Sequence, residues 1–225
     1  MASTYSEDIK QAIIQDGFWT LEDATVGRHM DEIVRDDFRI QTAKGMSLCK
    51  VAALDNLLVR PVLESFFDRS ILAFYRKFGR TKGTHFILPA PQLRILVVLV
   101  WSSGSRMILH AGSHRHDLPA TMGGNGFFAI TDDALPIPGI KARSVEMKEG
   151  GLAIVHSRTS WKIEEGKLIM LGFMIPDEVP HWKEMPIPVD LKDIVMEMAS
   201  DTIGINAVFF DPADGNEILQ EEGQR

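Results

Sequence analysis

Histidine is the side chain best suited by type to move protons or hold a metal near neutral pH, and the chain has seven of them. Three crowd one short stretch. His110, His114 and His116, with Asp117, close the segment Arg94 to Asp117, RILVVLVWSSGSRMILHAGSHRHD. Imidazole and carboxylate are transition-metal ligands, so this group is a candidate metal cluster. The competing reading is architectural, with His114 packed as a structural residue and His116 in solvent. His110-Ala111-Gly112 forms no His-X-His pair. His156 ends an apolar run, Leu152 to Val155, which suits a satisfied core histidine as well as a catalyst.

Other chemistries lack their signatures. No phosphate-binding loop, Gly-X-Gly-X-X-Gly, Gly-X-Ser-X-Gly or His-Glu-X-X-His string occurs. The single cysteine, Cys49, excludes an intrachain disulfide framework and a cysteine metal cluster. In its apolar setting it reads as buried and inert. A net charge of -7 argues against nucleic-acid binding. No run of about 18 apolar residues suggests a membrane span. The N-terminus, MASTYSEDIKQ, does not read as a secretory leader. These features together fit a cytoplasmic protein.

The elements that must position the histidines follow from periodicity. Residues 6–16 and 24–38 read as amphipathic helices around a short strand at 18–21. A longer helix is expected from Asp55 to Phe78, because Val59, Val62, Leu63, Phe66, Phe67, Ile71, Phe74 and Phe78 recur at helical steps. Strands are expected at 84–88, 93–101, 105–110, 126–130, 142–147, 152–156, 160–164 and 167–175. The run Ile95 to Trp101 is continuously apolar, as in a strand buried on both faces, and Ser102-Ser103-Gly104 suggests a hairpin to the next strand. Residues 191–200 read as a last helix. The division is one domain over 1–225: a mainly helical flank at 5–80, a strand-rich block at 84–175, and an extension at 176–225 with a short helix and a flexible acidic tail from Asp214. Helices followed by many short strands imply an α+β fold with a sandwich or barrel.

Four phrases, in order, resemble the phytanoyl-CoA dioxygenase-like branch of the iron(II)/2-oxoglutarate oxygenases. IKQAIIQDGFWTLEDA resembles its opening helix and strand, and VRPVLESFF its next helix. GSRMILHAGSHRH resembles its Gly-Ser-His hairpin, and KEGGLAIVHSRTSW the strand that carries the distal metal histidine. The resemblance implies a double-stranded β-helix, a cupin-like jelly-roll core with flanking N-terminal helices. It also implies an iron site of the form His-X-Asp/Glu…His and an arginine for 2-oxoglutarate. The corresponding positions here are His85-Phe86-Ile87, Trp161 and Lys167. Isoleucine cannot ligate, the indole N–H only donates, and lysine lacks the planar guanidinium fork.

The resemblance therefore implies a barrel pocket without the usual metal. Catalytic candidates are His85 and His156 for proton transfer, and Lys167 or Arg158 for a developing oxyanion. Trp101, Trp161, Met107 and Phe173 would contact a small, apolar, oxygenated substrate. The expected function is tailoring of a small molecule, in secondary metabolism by analogy, through cofactor-free isomerisation, cyclisation or dehydration. One alternative is an iron(II)/2-oxoglutarate oxygenase with ligands drawn from His85, or from His110, His114, His116 and Asp117. Another is a non-catalytic binding or partner protein. A homodimer is compatible with the long apolar helices.

Overall fold

The structure, a computed structural model, describes residues 2–123 and 126–212. The tail from Asp214 lies outside the described residues. The chain opens with α1 (Ala2–Asp16), which ends at Gly17. Gly17 has φ +90° and permits the immediate reversal into β1 (Phe18–Glu22). Asp23 then caps α2 (Ala24–Arg35), its carboxylate accepting from the Thr25 and Val26 N–H groups. Thr42 caps α3 (Ala43–Cys49) in the same way through Gly45 N–H. That helix runs into a π-turn, Lys50–Leu54, and Asn56 Oδ1 accepts from the Leu58 and Val59 N–H groups where α4 (Val59–Phe66) begins.

Here the expected long helix fails. It stops at Phe66, and Ser70–Phe78 forms strand β2. In SILAFYRKF, Phe74 and Phe78 face the barrel and Tyr75 the helices, the alternation of a strand, and a bulge at Ala73 lets Leu72 face the helices as well. Phe74 and Phe78 are four residues apart, a spacing that puts two residues on one face of either element. Asp68-Arg69 marks the break. The helical flank thus ends before residue 70, and β2 belongs to the barrel.

Then follow β3 (Thr84–Phe86), β4 (Ile95–Trp101), β5 (Ser105–Ala111), β6 (Ala120–Met122), β7 (Phe128–Ile130), β8 (Lys141–Met147), β9 (Gly151–His156), β10 (Ser160–Glu165) and β11 (Leu168–Met174). The extension supplies β12 (Met185–Pro188), α5 (Lys192–Met198), β13 (Ile203–Ile205) and β14 (Ala207–Phe210). Among the described residues, the strands form a larger sheet, β1-β9-β4-β11-β2-β13, and a smaller one, β6-β7-β3-β10-β5-β8. β12 and β14 make a separate parallel ribbon. The two sheets pack face to face as a jelly-roll, and the helices cover the outer face of the larger sheet.

β4 and β5 do not form the expected hairpin pair. β4 pairs with β9 and β11 in one sheet, and β5 pairs with β8 and β10 in the other. Ser102-Ser103-Gly104 is a crossing between layers. β4 is buried along its whole length because it has two cores to satisfy. Leu96, Val98 and Val100 pack toward the helices, while Ile95, Val97, Leu99 and Trp101 point into the barrel. This two-sided burial explains the unbroken apolar run. No helix among the described residues is long and apolar enough to cross a membrane.

Candidate active site

β3 and β10 run antiparallel with His85 directly opposite Trp161. Their rings stack at 5.3 Å between centroids and 29° between planes. Trp161 is buried in the barrel core, and His85 is half-buried. The imidazole tautomer follows from its partner. Nδ1 lies 3.0 Å from the Gly83 carbonyl, which only accepts, so Nδ1 carries the proton and Nε2 keeps a lone pair. Burial lowers the His85 pKa, which favours this neutral form.

An aromatic wall continues from Trp161. Phe127 meets it edge-on at 5.8 Å, and Phe78 contacts both rings, at 5.9 Å from Trp161 and 5.5 Å from Phe127. Phe74 lies 6.4 Å from Phe127 and stacks on Trp182 at 4.5 Å. The Arg76 guanidinium sits 4.8 Å from the Phe127 centroid, a cation–π contact. Burial lowers the Arg76 pKa, although a guanidinium stays charged near neutrality. Arg76 is hidden in the sequence because the apolar spacing of residues 59–78 also fits a helix. The alternation in SILAFYRKF was the available signal.

The other predicted residues are dispersed. Trp101 and Met107 are buried in the barrel core. Phe173 packs in the helix-facing core instead. His156 alternates with the barrel-facing Val155 and so faces the helical layer, 5.1 Å from the His114 ring. Its Nδ1 accepts from the Arg158 backbone N–H, and burial, with the His114 and Arg158 charges, pushes its pKa down to about 3. The Arg158 side chain is committed to the His116 carbonyl and the Asp117 carboxylate. Lys167 is exposed in the turn between β10 and β11. The four expected catalytic groups therefore do not share one pocket; His85 alone joins the aromatic wall.

The histidine-rich stretch also separates. His110 Nδ1 lies 3.3 Å from the Ser160 carbonyl, and His114 Nε2 donates to the Ile14 carbonyl at 3.0 Å. Among the described residues, no three His, Cys, Asp or Glu side chains converge as metal ligands. The proposed cluster of His110, His114, His116 and Asp117 is thus not assembled: the His110 and His114 rings are tied to different backbone groups, and Asp117 pairs with Arg158. A His-X-Asp string does exist, His29-Met30-Asp31, but it lies on α2. Asp31 there binds Ser103 through its N–H and hydroxyl. Residues two apart on a helix diverge, so this string does not form a facial ligand pair.

The donor set at the expected iron position does not fit iron. Ile87 is buried among apolar barrel residues, and so is Trp161, which stands where the resemblance expects the distal histidine. On β11 the barrel-facing side chains are Leu168, Met170 and Met174, none of which can fork onto a carboxylate. The cation of this face stands on the adjacent strand, where Arg76 is in register with Met170. A separate cleft of about 430 Å³ lies outside the barrel, bordered by Asp37, Arg39, Gln41, Tyr75 and Lys77. It holds no histidine or cysteine and offers no proton acceptor suited to neutral pH.

No family model matches the chain, and no curated protein matches it. Solved structures do. The epimerase SnoN in complex with Fe3+, alpha ketoglutarate and nogalamycin RO is 14% identical, with TM-score 0.52 over 76% of this chain and 84% of its own. The alpha ketoglutarate-dependent carbocyclase SnoK from nogalamycin biosynthesis is 14% identical, with TM-score 0.51 over 77% and 85%. EctD from S. alaskensis, with 2-oxoglutarate and 5-hydroxyectoine, is 12% identical, with TM-score 0.52 over 75% of each chain. These neighbours include tailoring enzymes of secondary metabolism. The likeness does not single out the phytanoyl-CoA dioxygenase-like branch, but the chain has the jelly-roll fold shared by these iron/2-oxoglutarate-dependent enzymes.

Proposed function

We propose that this protein is a small-molecule tailoring enzyme that uses an oxygenase scaffold for acid–base chemistry without the scaffold's iron. One observation carries the reading: the His85 and Trp161 rings face each other at the expected metal position, with a free His85 Nε2 lone pair beside an aromatic wall. Ile87 and Trp161 supply no ligand atoms there. A neutral imidazole in an apolar wall is suited to accept a proton from carbon or oxygen. The Arg76 cation, reached through Phe127, favours negative charge developing nearby. The structural neighbours' roles as an epimerase and a carbocyclase agree with an isomerising or cyclising activity. Phe74, Phe78 and Trp182 would hold an apolar, oxygenated substrate. In this reading, His156, Arg158 and Lys167 are architectural.

The test is calorimetry with iron(II) and 2-oxoglutarate, coupled to a succinate assay. The reading expects neither stoichiometric iron nor succinate release. Stoichiometric iron with 2-oxoglutarate consumption would sink it. A second reading, a non-catalytic partner protein, is favoured by the packing of Ile87, Leu109, Trp161 and Met170 in the barrel, each at most 2% exposed. Absence of any small-molecule binding, with wild type and His85→Ala alike, would select that alternative.

A further inference from the structure

The Trp161 indole N–H is buried in the barrel core and has no hydrogen-bond partner. A buried donor without an acceptor is costly, and native proteins rarely keep one unless a water, ion or ligand completes it. Trp101 carries a second unpartnered indole N–H, so the vacancy alone does not mark a site. The surroundings separate the two. Trp101 lies between Gly151 and Leu168, which bring no titratable side chain. Trp161 stacks on His85, whose Nε2 is the free acceptor, and borders Phe78 and Phe127. A hydrogen-bond donor and a proton acceptor thus occupy two rings stacked in one aromatic wall.

This inference rests on the metal-free reading above and adds the substrate class. We propose that the site takes an enolisable ketone with a planar apolar body, whose carbonyl oxygen accepts from Trp161 Nε1–H while His85 Nε2 removes a proton from the adjacent carbon. The C–H bond breaks and its electron pair forms the carbon–carbon double bond of an enolate. The carbonyl π pair moves onto oxygen, where the indole N–H holds the charge. The imidazolium then returns the proton, to the same carbon in an epimerisation or to the γ-carbon of an unsaturated ketone in an isomerisation. Nothing is oxidised or reduced, and no co-reactant is consumed. The donor is held rigidly by the barrel core and needs no reorganisation as the charge develops.

The probe is 2-tetralone in D2O, with α-hydrogen exchange followed by proton NMR and the indole N–H resonances followed in 15N-labelled protein. The Trp161 resonance is identified by its contacts to the His85 ring, so this readout needs no variant to fold. We expect exchange above the buffer rate, its loss in His85→Phe, and a decrease of about 100-fold in Trp161→Phe. The Trp161 indole resonance should move downfield with ligand while that of Trp101 stays. Exchange that depends on His85 but not on Trp161 overturns this inference and leaves the acid–base reading standing. A stationary Trp161 resonance at saturating ketone overturns it as well. Exchange no faster than buffer also overturns it, and the metal-free reading is then decided separately by the iron and succinate measurements.

Discussion

His85 and Trp161 stand opposite each other on β3 and β10, with ring centroids 5.3 Å apart. Strand pairing brings these positions together, so any fold of this topology places two side chains there. What those side chains can bind depends on their atoms. A histidine pair with a carboxylate two residues on would chelate; a histidine against an indole cannot.

Restoring the donors should restore metal binding. The double variant Ile87→Asp, Trp161→His replaces a buried apolar side chain and a space-filling indole. Without metal it should lose at least about 3–5 kcal/mol of stability, from the cavity left by the indole and from the buried carboxylate. Iron(II) or zinc should return much of that loss, and the wild type should gain little from either metal. Thermal melts with and without metal check this; equal stabilisation of the wild type would refute the donor argument.

Acid should destabilise the fold through His156. Its folded pKa, near 3, lies below the ordinary histidine value, so the unfolded chain binds the extra proton between these limits. Stability is therefore complete above about pH 6.5 and falls by up to about 1.4 kcal/mol per pH unit toward pH 3. Urea midpoints at pH 7 and pH 5 measure the slope. His156→Phe, on the helix-facing side of β9, should reduce it; His85, His110 and His114, whose pKa values burial also lowers, leave a residual slope of the same sign.

Gly17→Ala should be severe. A methyl there would lie 2.3 Å from Thr159 Oγ1 and 2.6 Å from His114 Nδ1, at φ +90°. The clash and the strained backbone together should cost at least about 2 kcal/mol. An unchanged melting temperature would show that the α1–β1 junction relaxes freely.

Arg94 and Glu178 form a pair at 3.1 Å in which the carboxylate is 7% exposed. Glu178 also accepts from the Trp182 indole at 3.4 Å, which helps hold that ring on Phe74. Arg94→Met should leave the carboxylate uncompensated, costing about 1–3 kcal/mol given the partial exposure of Arg94. It should also shift tryptophan emission as Trp182 loosens. Arg94→Lys should retain most of both.

The barrel was largely legible from residue type because its strands carry strong local signals. The run from Ile95 to Trp101 announced burial on both faces, and Gly150-Gly151 and Glu165-Gly166 marked turns. The errors arose where two periods coincide. From Val59 to Phe78 the apolar spacing suited a helix throughout, and only the break at Asp68-Arg69 betrayed the strand that carries Arg76. His156 was misplaced for a related reason. Its strand is apolar on both faces, so alternation could say that Val155 and His156 point opposite ways but not which way was inward. Ser102-Ser103-Gly104 looked like a hairpin because a turn signal does not reveal whether the next strand returns to the same sheet.

Both edges of the larger sheet are supplied from outside the strand-rich block, by β1 beside β9 and by β13 beside β2. This imposes an order on biosynthesis. The sheet cannot close until residues 203–205 have been made, so the nascent barrel must wait with one strand edge open while residues 175–205 are synthesised. Trimming either flank would leave that edge open permanently, in a form that invites pairing between chains. The flanks are thus part of the barrel's solubility as well as its shape.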